Sequence, residues 1–289
     1  MNDMIFEARQ VSSLRRGGFG TRQASSLRGG GFGTRQASSL GRGGFGTRQV
    51  SGLRRGGFGA RQASSLKGGG FGTEQAGGSR HSRFGKKTFG LEEISFELPR
   101  GYIMGLIGSN GAGKTTFFDC IMDEKKRYSG EMFLDGRNIH ENHLQVLDKT
   151  GFVSEKNEFM ELRTAGQNAR MLGRFYSSFD MELFEGMMER CKVSSGKTVG
   201  KMSRGETVKF QLAFAVAHRP KLYLLDEATA GMDPVFKIDF YRILHELLKD
   251  GDCGIILSTH IEEEIEKQLD YVGVLEEGQL VSFGENAPV

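Results

Sequence analysis

Gly108-Ser-Asn-Gly-Ala-Gly-Lys-Thr-Thr116 follows directly on the apolar run Tyr102-Ile-Met-Gly-Leu-Ile107 and leads into Phe117 to Met122, which opens as a helix. The order is strand, glycine-rich turn, helix, with the spacing G-x-x-x-x-G-K-T. Glycines let successive backbone N–H groups curl around phosphate oxygens, so Gly108, Ser109, Asn110, Gly111, Ala112, Gly113, Lys114, Thr115 and Thr116 form a candidate phosphate cradle. Lys114 is expected to reach the β- and γ-phosphates and Thr115 to ligate Mg²⁺. A chain with 43 glycines produces such spacings by chance more readily than most. The preceding strand is what gives this one weight.

Two further apolar runs end in chemistry. Lys221-Leu-Tyr-Leu-Leu-Asp-Glu227 stops at two adjacent acids, and a parallel sheet gathers its ligand contacts at the carboxyl ends of strands. Asp226 is expected in the Mg²⁺ shell, and Glu227 is expected to polarise the attacking water. Cys253-Gly-Ile-Ile-Leu-Ser-Thr-His260 ends in a histidine within reach of a γ-phosphate. Taken separately, each is the ordinary solvated end of a strand. Together, three strand ends converge on one nucleotide, with Mg²⁺ beside it.

Upstream the composition changes. Phenylalanines at 19, 32, 45, 58, 71 and 84 each precede a glycine, at a constant interval of 13 residues. From Arg9 to Thr73 there are 12 basic and no acidic residues and 19 glycines. One Leu and one Phe per unit do not offset the entropy of ordering the backbone, so residues 13–82 are expected to be disordered. Arg and Phe in alternation suit phosphates and bases, which makes nucleic acid a conceivable partner of the repeat. Near-identity of the units favours tandem duplication without a selected function. Residues 1–86 carry a net charge of +12 and residues 87–289 one of −9.

About 200 residues remain to build a core. Cys120, Cys191 and Cys253 are far apart and in no metal-ligand spacing, which excludes a disulfide framework or zinc site. The longest apolar runs, such as Leu212 to Ala217, are far shorter than the roughly 20 residues that span a bilayer, and Asp3 and Glu7 do not suit a signal peptide.

These residues resemble the ATP-binding subunits of ABC transporters over roughly 4–12 and 83–289. The resemblance implies an α/β, P-loop NTPase fold: a mostly parallel sheet, a small antiparallel β part and a helical subdomain at 156–202. Residues 1–12 are then the first strand, 13–82 an insertion, and 83–289 the rest of the ABC ATPase domain. Phe84 sits where the family stacks an aromatic on adenine. Ser203 and Gly205, in Lys-Met-Ser-Arg-Gly-Glu206, match the signature that meets the γ-phosphate of a partner subunit's nucleotide. Gly231-Met-Asp-Pro234 looks like the D-loop, and His260 like the switch histidine.

Three positions depart from the family pattern. Glu155 stands for the Q-loop glutamine and is assigned to Mg²⁺ with Thr115 and Asp226. Met202, Arg204 and Glu206 replace the commoner Leu, Gly and Gln, and Ala228 replaces a frequent Pro. None removes a group that hydrolysis needs, so Glu227, His260 and Lys114 are the expected catalytic residues. The resemblance further implies a membrane permease subunit as partner, with part of the contact at Phe152, Phe159, Met160 and Leu162. It also implies a homodimer or a heterodimer with a related ATPase subunit, and a cytoplasmic position, peripheral on the inner face of the cell membrane. A soluble ABC ATPase acting on DNA or ribosomes, with the basic repeat as its arm, is the alternative.

Overall fold

The computed structural model describes residues 3–14, 90–123, 127–260, 265 and 267–286. The repeats beyond Leu14 and the adenine-stacking candidate Phe84 lie outside the described residues.

Ten strands form one mixed sheet in the order β5-β4-β1-β2-β10-β9-β3-β8-β7-β6. Its antiparallel end is built from β1 (Met4–Leu14), β2 (Gly90–Pro99), β4 (Tyr128–Leu134) and β5 (Arg137–Asn138). The parallel part holds β3 (Ile103–Ile107), β6 (Thr150–Ser154), β7 (Leu222–Asp226) and β8 (Gly254–Thr259). β9 (Tyr271–Glu276) runs parallel to β3, and β10 (Gln279–Glu285) returns antiparallel to β9 and meets β2. In β7 and β8 every residue is buried, as continuous apolar runs of a sheet covered on both faces must be.

The first strand does not stop at Ser12. It continues through Ser13 and Leu14, which pair with Leu91 and Gly90, because the ladder to β2 continues past the polar serines. Of the three register shifts in this antiparallel pair, two coincide with left-handed residues, Gln10 (φ 50) and Glu93 (φ 50).

Six α-helices have both ends among the described residues: α1 (Lys114–Met122), α2 (His143–Asp148), α3 (Ala165–Leu172), α4 (Met181–Arg190), α5 (Arg204–Ala217) and α6 (Pro234–Leu248). Caps explain where most of the longer ones begin. Thr164 and Gln167 form a capping box on α3, Asp180 caps α4 through the Glu182 and Leu183 amides, and Asp233 with Pro234 starts α6. α5 is apolar on nearly all sides because it is buried between the sheet and α4, with Phe210 and Leu212 fully enclosed.

Of the expected permease contacts, Phe159 packs on Phe210 and Phe214 at centroid distances of 4.5 and 5.0 Å, on the core side. Phe152 is half-buried against the second core cluster, and Leu162 is 95% exposed. Cys120, Cys191 and Cys253 are all buried, and burial pushes each thiol up to about 11. Such thiols are poor nucleophiles at neutral pH. Among the described residues no helix is long and apolar enough to cross a membrane.

Candidate functional site

Four parallel strands, β6, β7, β8 and β3, end on the same edge of the sheet. Their register aligns Ser154 with Asp226, Asp226 with Ser258, and Ser258 with Leu106. The turn that begins at Gly108 therefore stands beside the acids that end β7.

The turn is shaped by its glycines. Gly111 (φ 87) and Gly113 (φ 119) occupy the left-handed region, which L side chains avoid. A Cβ at Gly108 would stand 2.3 Å from the Leu275 carbonyl oxygen, so only glycine fits there. α1 starts at Lys114 with no side-chain cap and no acid in its first turn. Its first N–H groups are thus left for an outside acceptor, and the helix dipole favours an anion.

Lys114 is 4% exposed, and its ammonium donates to the carbonyls of Gly108 (2.7 Å) and Ser109 (3.2 Å). Glu227 lies 3.6 Å away. A lysine so enclosed, bonded to the carbonyls of the glycine-rich turn, suits a polyphosphate.

Thr115 and Asp226 meet directly: the Thr115 hydroxyl donates to Asp226 Oδ2 at 2.9 Å. Asp226 Oδ1 accepts from the Ser258 hydroxyl at 2.7 Å, and that hydroxyl also accepts from the Glu227 amide at 2.8 Å. Ser258 is fully buried. It fixes both acids at once, a role the sequence reading did not assign. The signal was available, since Ser258 and Thr259 are polar residues closing the apolar run Ile255–Leu257. Glu227 itself is held at φ 49, an unusual left-handed conformation for a glutamate. Strain of this kind persists where the surroundings enforce it, here through the Ser258 bond.

This donor set fits Mg²⁺. Among the described residues no cluster of three or more His, Cys, Asp or Glu side chains is able to hold a metal by itself. Mg²⁺ asks for less: one or two carboxylates, several waters and phosphate oxygens of a substrate. One hydroxyl and one carboxylate beside a phosphate cradle supply that.

The remaining expected residues fall into a second group. Ser203 is the N-cap of α5, accepting from the Glu206 amide at 3.3 Å while Glu206 accepts from the Ser203 amide at 2.8 Å. Glu206 is also bound by Lys197 at 2.7 and 2.8 Å, and this ammonium together with the Ser203 amide holds its carboxyl below the usual range. The acid in place of glutamine thus completes a capping box and finds its own counter-charge. Gly205 has open space where a Cβ would stand. Glu155, expected at the metal, forms an ion pair with Arg204 at 3.1 Å. His260 is exposed, one residue past the end of β8.

The profile of the family described as ABC transporter matches residues 91–230. The bacitracin transport ATP-binding protein BcrA of Bacillus licheniformis is 33% identical over 197 residues, which cover 66% of this chain and 63% of that protein. The ABC transporter ATP-binding protein YtrB of Bacillus subtilis (strain 168) is 31% identical over 192 residues, covering 66% and 65%. The chain thus spans slightly less than two thirds of the length of these relatives. Among solved structures, an ATP binding subunit of an ABC transporter superposes with a TM-score of 0.63 at 24% identity, covering 68% of this chain and 83% of that one. A dimeric ATP-binding cassette in a post-hydrolysis state, bound to ADP and Pi, superposes with a TM-score of 0.62 at 18% identity, covering 72% and 95%. At these identities the superpositions establish the fold.

Proposed function

Because this chain belongs to the ABC transporter ATP-binding family, we propose that it binds and hydrolyses Mg²⁺·ATP and so powers transport through a separate membrane permease. The observation that carries this reading is the convergence of Lys114, Thr115, Asp226 and Glu227 at the carboxyl edge of the parallel strands.

Each residue has one task. Lys114 and the α1 amides neutralise the β- and γ-phosphates. Thr115 and Asp226 hold the metal shell, which when bound supplies charge neutralisation across those phosphates. Glu227 orients the attacking water and accepts its proton, while the Ser258 hydroxyl anchors the Glu227 backbone amide. His260 meets the γ-phosphate from the end of β8, and Phe84 stacks on adenine. Ser203 and the unobstructed backbone at Gly205 face the nucleotide of a second ATPase subunit, identical or related.

The permease is proposed to dock in a cavity of about 540 Å³ between the Leu134–Lys149 segment and the turn at Arg174 to Ser177. Leu144 and Phe175 stand more than four-fifths exposed beside it, and Arg137, Lys149, Arg174 and Lys221 line it. Asp135 and Asp148 line it as well, so an amphipathic helix with an apolar face and mixed charge fits that surface. The chain would then sit on the cytoplasmic face of the membrane. Phosphate release by the purified chain tests the reading: it should require Mg²⁺ and vanish in Lys114→Ala. Release that survives Lys114→Ala would refute it.

A further inference from the structure

Two of the positions that depart from the family pattern meet in space. Glu155, the first residue beyond β6, pairs through Oε2 with Nη2 of Arg204, the first residue of α5, at 3.1 Å. The same guanidinium lies beside the next loop, since a Cβ on Gly231 would stand 3.8 Å from Nη1.

A buried bond lies beneath this exposed pair. Seven residues along α5, and therefore on the same face, Gln211 accepts from the Ser154 amide at 2.8 Å and donates to the Lys156 carbonyl at 3.1 Å. It grips the backbone on both sides of Glu155. The loop after β6 is thus fastened to α5 twice, permanently by an enclosed amide and superficially by a half-exposed ion pair. The first bond presents Glu155 to Arg204. The second is weak enough to be replaced, because exposed pairs contribute little.

The register leaves Glu155 a second destination. Ser154 is the partner of Asp226, so Glu155 follows β6 just as Glu227 follows β7. A carboxylate there is able to serve the metal shell or stay on Arg204, but not both.

We propose that the Glu155–Arg204 pair is a latch, closed in the free chain, which competes with Mg²⁺·ATP for the Glu155 carboxylate. It rests on the functional reading above. Arg204 is then a positioning residue: while latched it holds the start of α5 to its own strand edge.

The test is equilibrium binding of a fluorescent ATP analogue to the full chain, with Mg²⁺ and with EDTA. With Mg²⁺, Arg204→Gln should tighten binding about two- to fivefold by removing the competitor, and Arg204→Lys should not. In a Glu155→Gln background Arg204→Gln should change nothing, nor should it in EDTA against either background. Unchanged or weaker binding in Arg204→Gln, an equal shift in both backgrounds, or a shift that persists in EDTA would each overturn the latch. Failure of the wild type to bind with Mg²⁺ would instead overturn the ATPase reading. A matching circular-dichroism melt for each variant separates these results from misfolding.

Discussion

Thr115 and Ser258 grip the two oxygens of the Asp226 carboxylate, at 2.9 and 2.7 Å, so the first turn of α1 and the end of β8 are tied together through the end of β7. Partners that orient a metal ligand typically contribute about ten- to a hundredfold in metal affinity. Ser258→Ala is therefore expected to weaken Mg²⁺ binding to the ATP complex by about tenfold, with ATP affinity in EDTA unchanged within about twofold. Magnesium titrations of ATP binding would check it. An unaltered Mg²⁺ midpoint would mean that Asp226 needs no such support.

Gln211 makes the opposite kind of contribution, to stability. It is 3% exposed, and its two bonds satisfy a backbone donor and a backbone acceptor that water does not reach. Gln211→Leu keeps the volume and leaves both groups unpaired, at a cost of about 2 kcal/mol. Urea unfolding should show this loss as a lower midpoint with the same slope. A change below about 0.5 kcal/mol would show that the loop finds other partners.

His218 should make stability depend on pH. It is 2% exposed, stacked on Tyr176 at 4.2 Å, with no hydrogen-bond partner at Nδ1 among the described residues. Burial lowers its pKa from the ordinary 6.5 to about 4, against a hydrogen bond to the Asp148 backbone. The unfolded chain thus binds the proton first. Stability is complete above about pH 6.5 and falls as pH drops toward 4, by a total on the order of 3 kcal/mol. Unfolding curves measured from pH 7 to 5 should lose this slope in His218→Phe. An identical slope in the variant would assign the effect to other groups.

The repeat array should be dispensable. Leu14 and Gly90 are register partners on neighbouring strands, so a short turn closes the chain where some 75 residues now intervene. A deletion must spare Ser13 and Leu14, which belong to β1. Removing residues 16–82 should leave melting temperature and ATP affinity nearly unchanged, while Phe84→Ala in that chain should cost about 1–3 kcal/mol of binding through lost stacking. Loss of ATP binding on deletion alone would make the array a working part of the site.

Much of this was legible before any coordinates. Parallel strands buried on both faces are largely apolar, so Leu222 to Asp226 and Gly254 to Thr259 stood out, and the glycines at 108, 111 and 113 marked a turn that admits phosphate. What escaped were polar residues whose partners are remote in sequence. Gln211 is the single polar residue in a helical apolar run, and its partners lie more than 50 residues away. Ser258 was read as part of a segment ending in histidine, although its bonds run to Asp226 and Glu227. The end of β1 was set at Ser12 because Ser13 and Leu14 belong to the 13-residue unit, whereas the backbone ladder to β2 carries on through both. Glu155 and Arg204 each read as an isolated departure, and only the fold brings them to 3.1 Å.

Glu227→Gln decides whether Glu227 activates water in a site closed by a second subunit. The amide preserves the shape of the side chain and its Ser258-anchored backbone while removing the charge that polarises water. Size-exclusion chromatography with light scattering, in Mg²⁺·ATP, should find this variant as an ATP-loaded dimer with no steady-state phosphate release. A monomer that hydrolyses ATP at the wild-type rate would contradict the account.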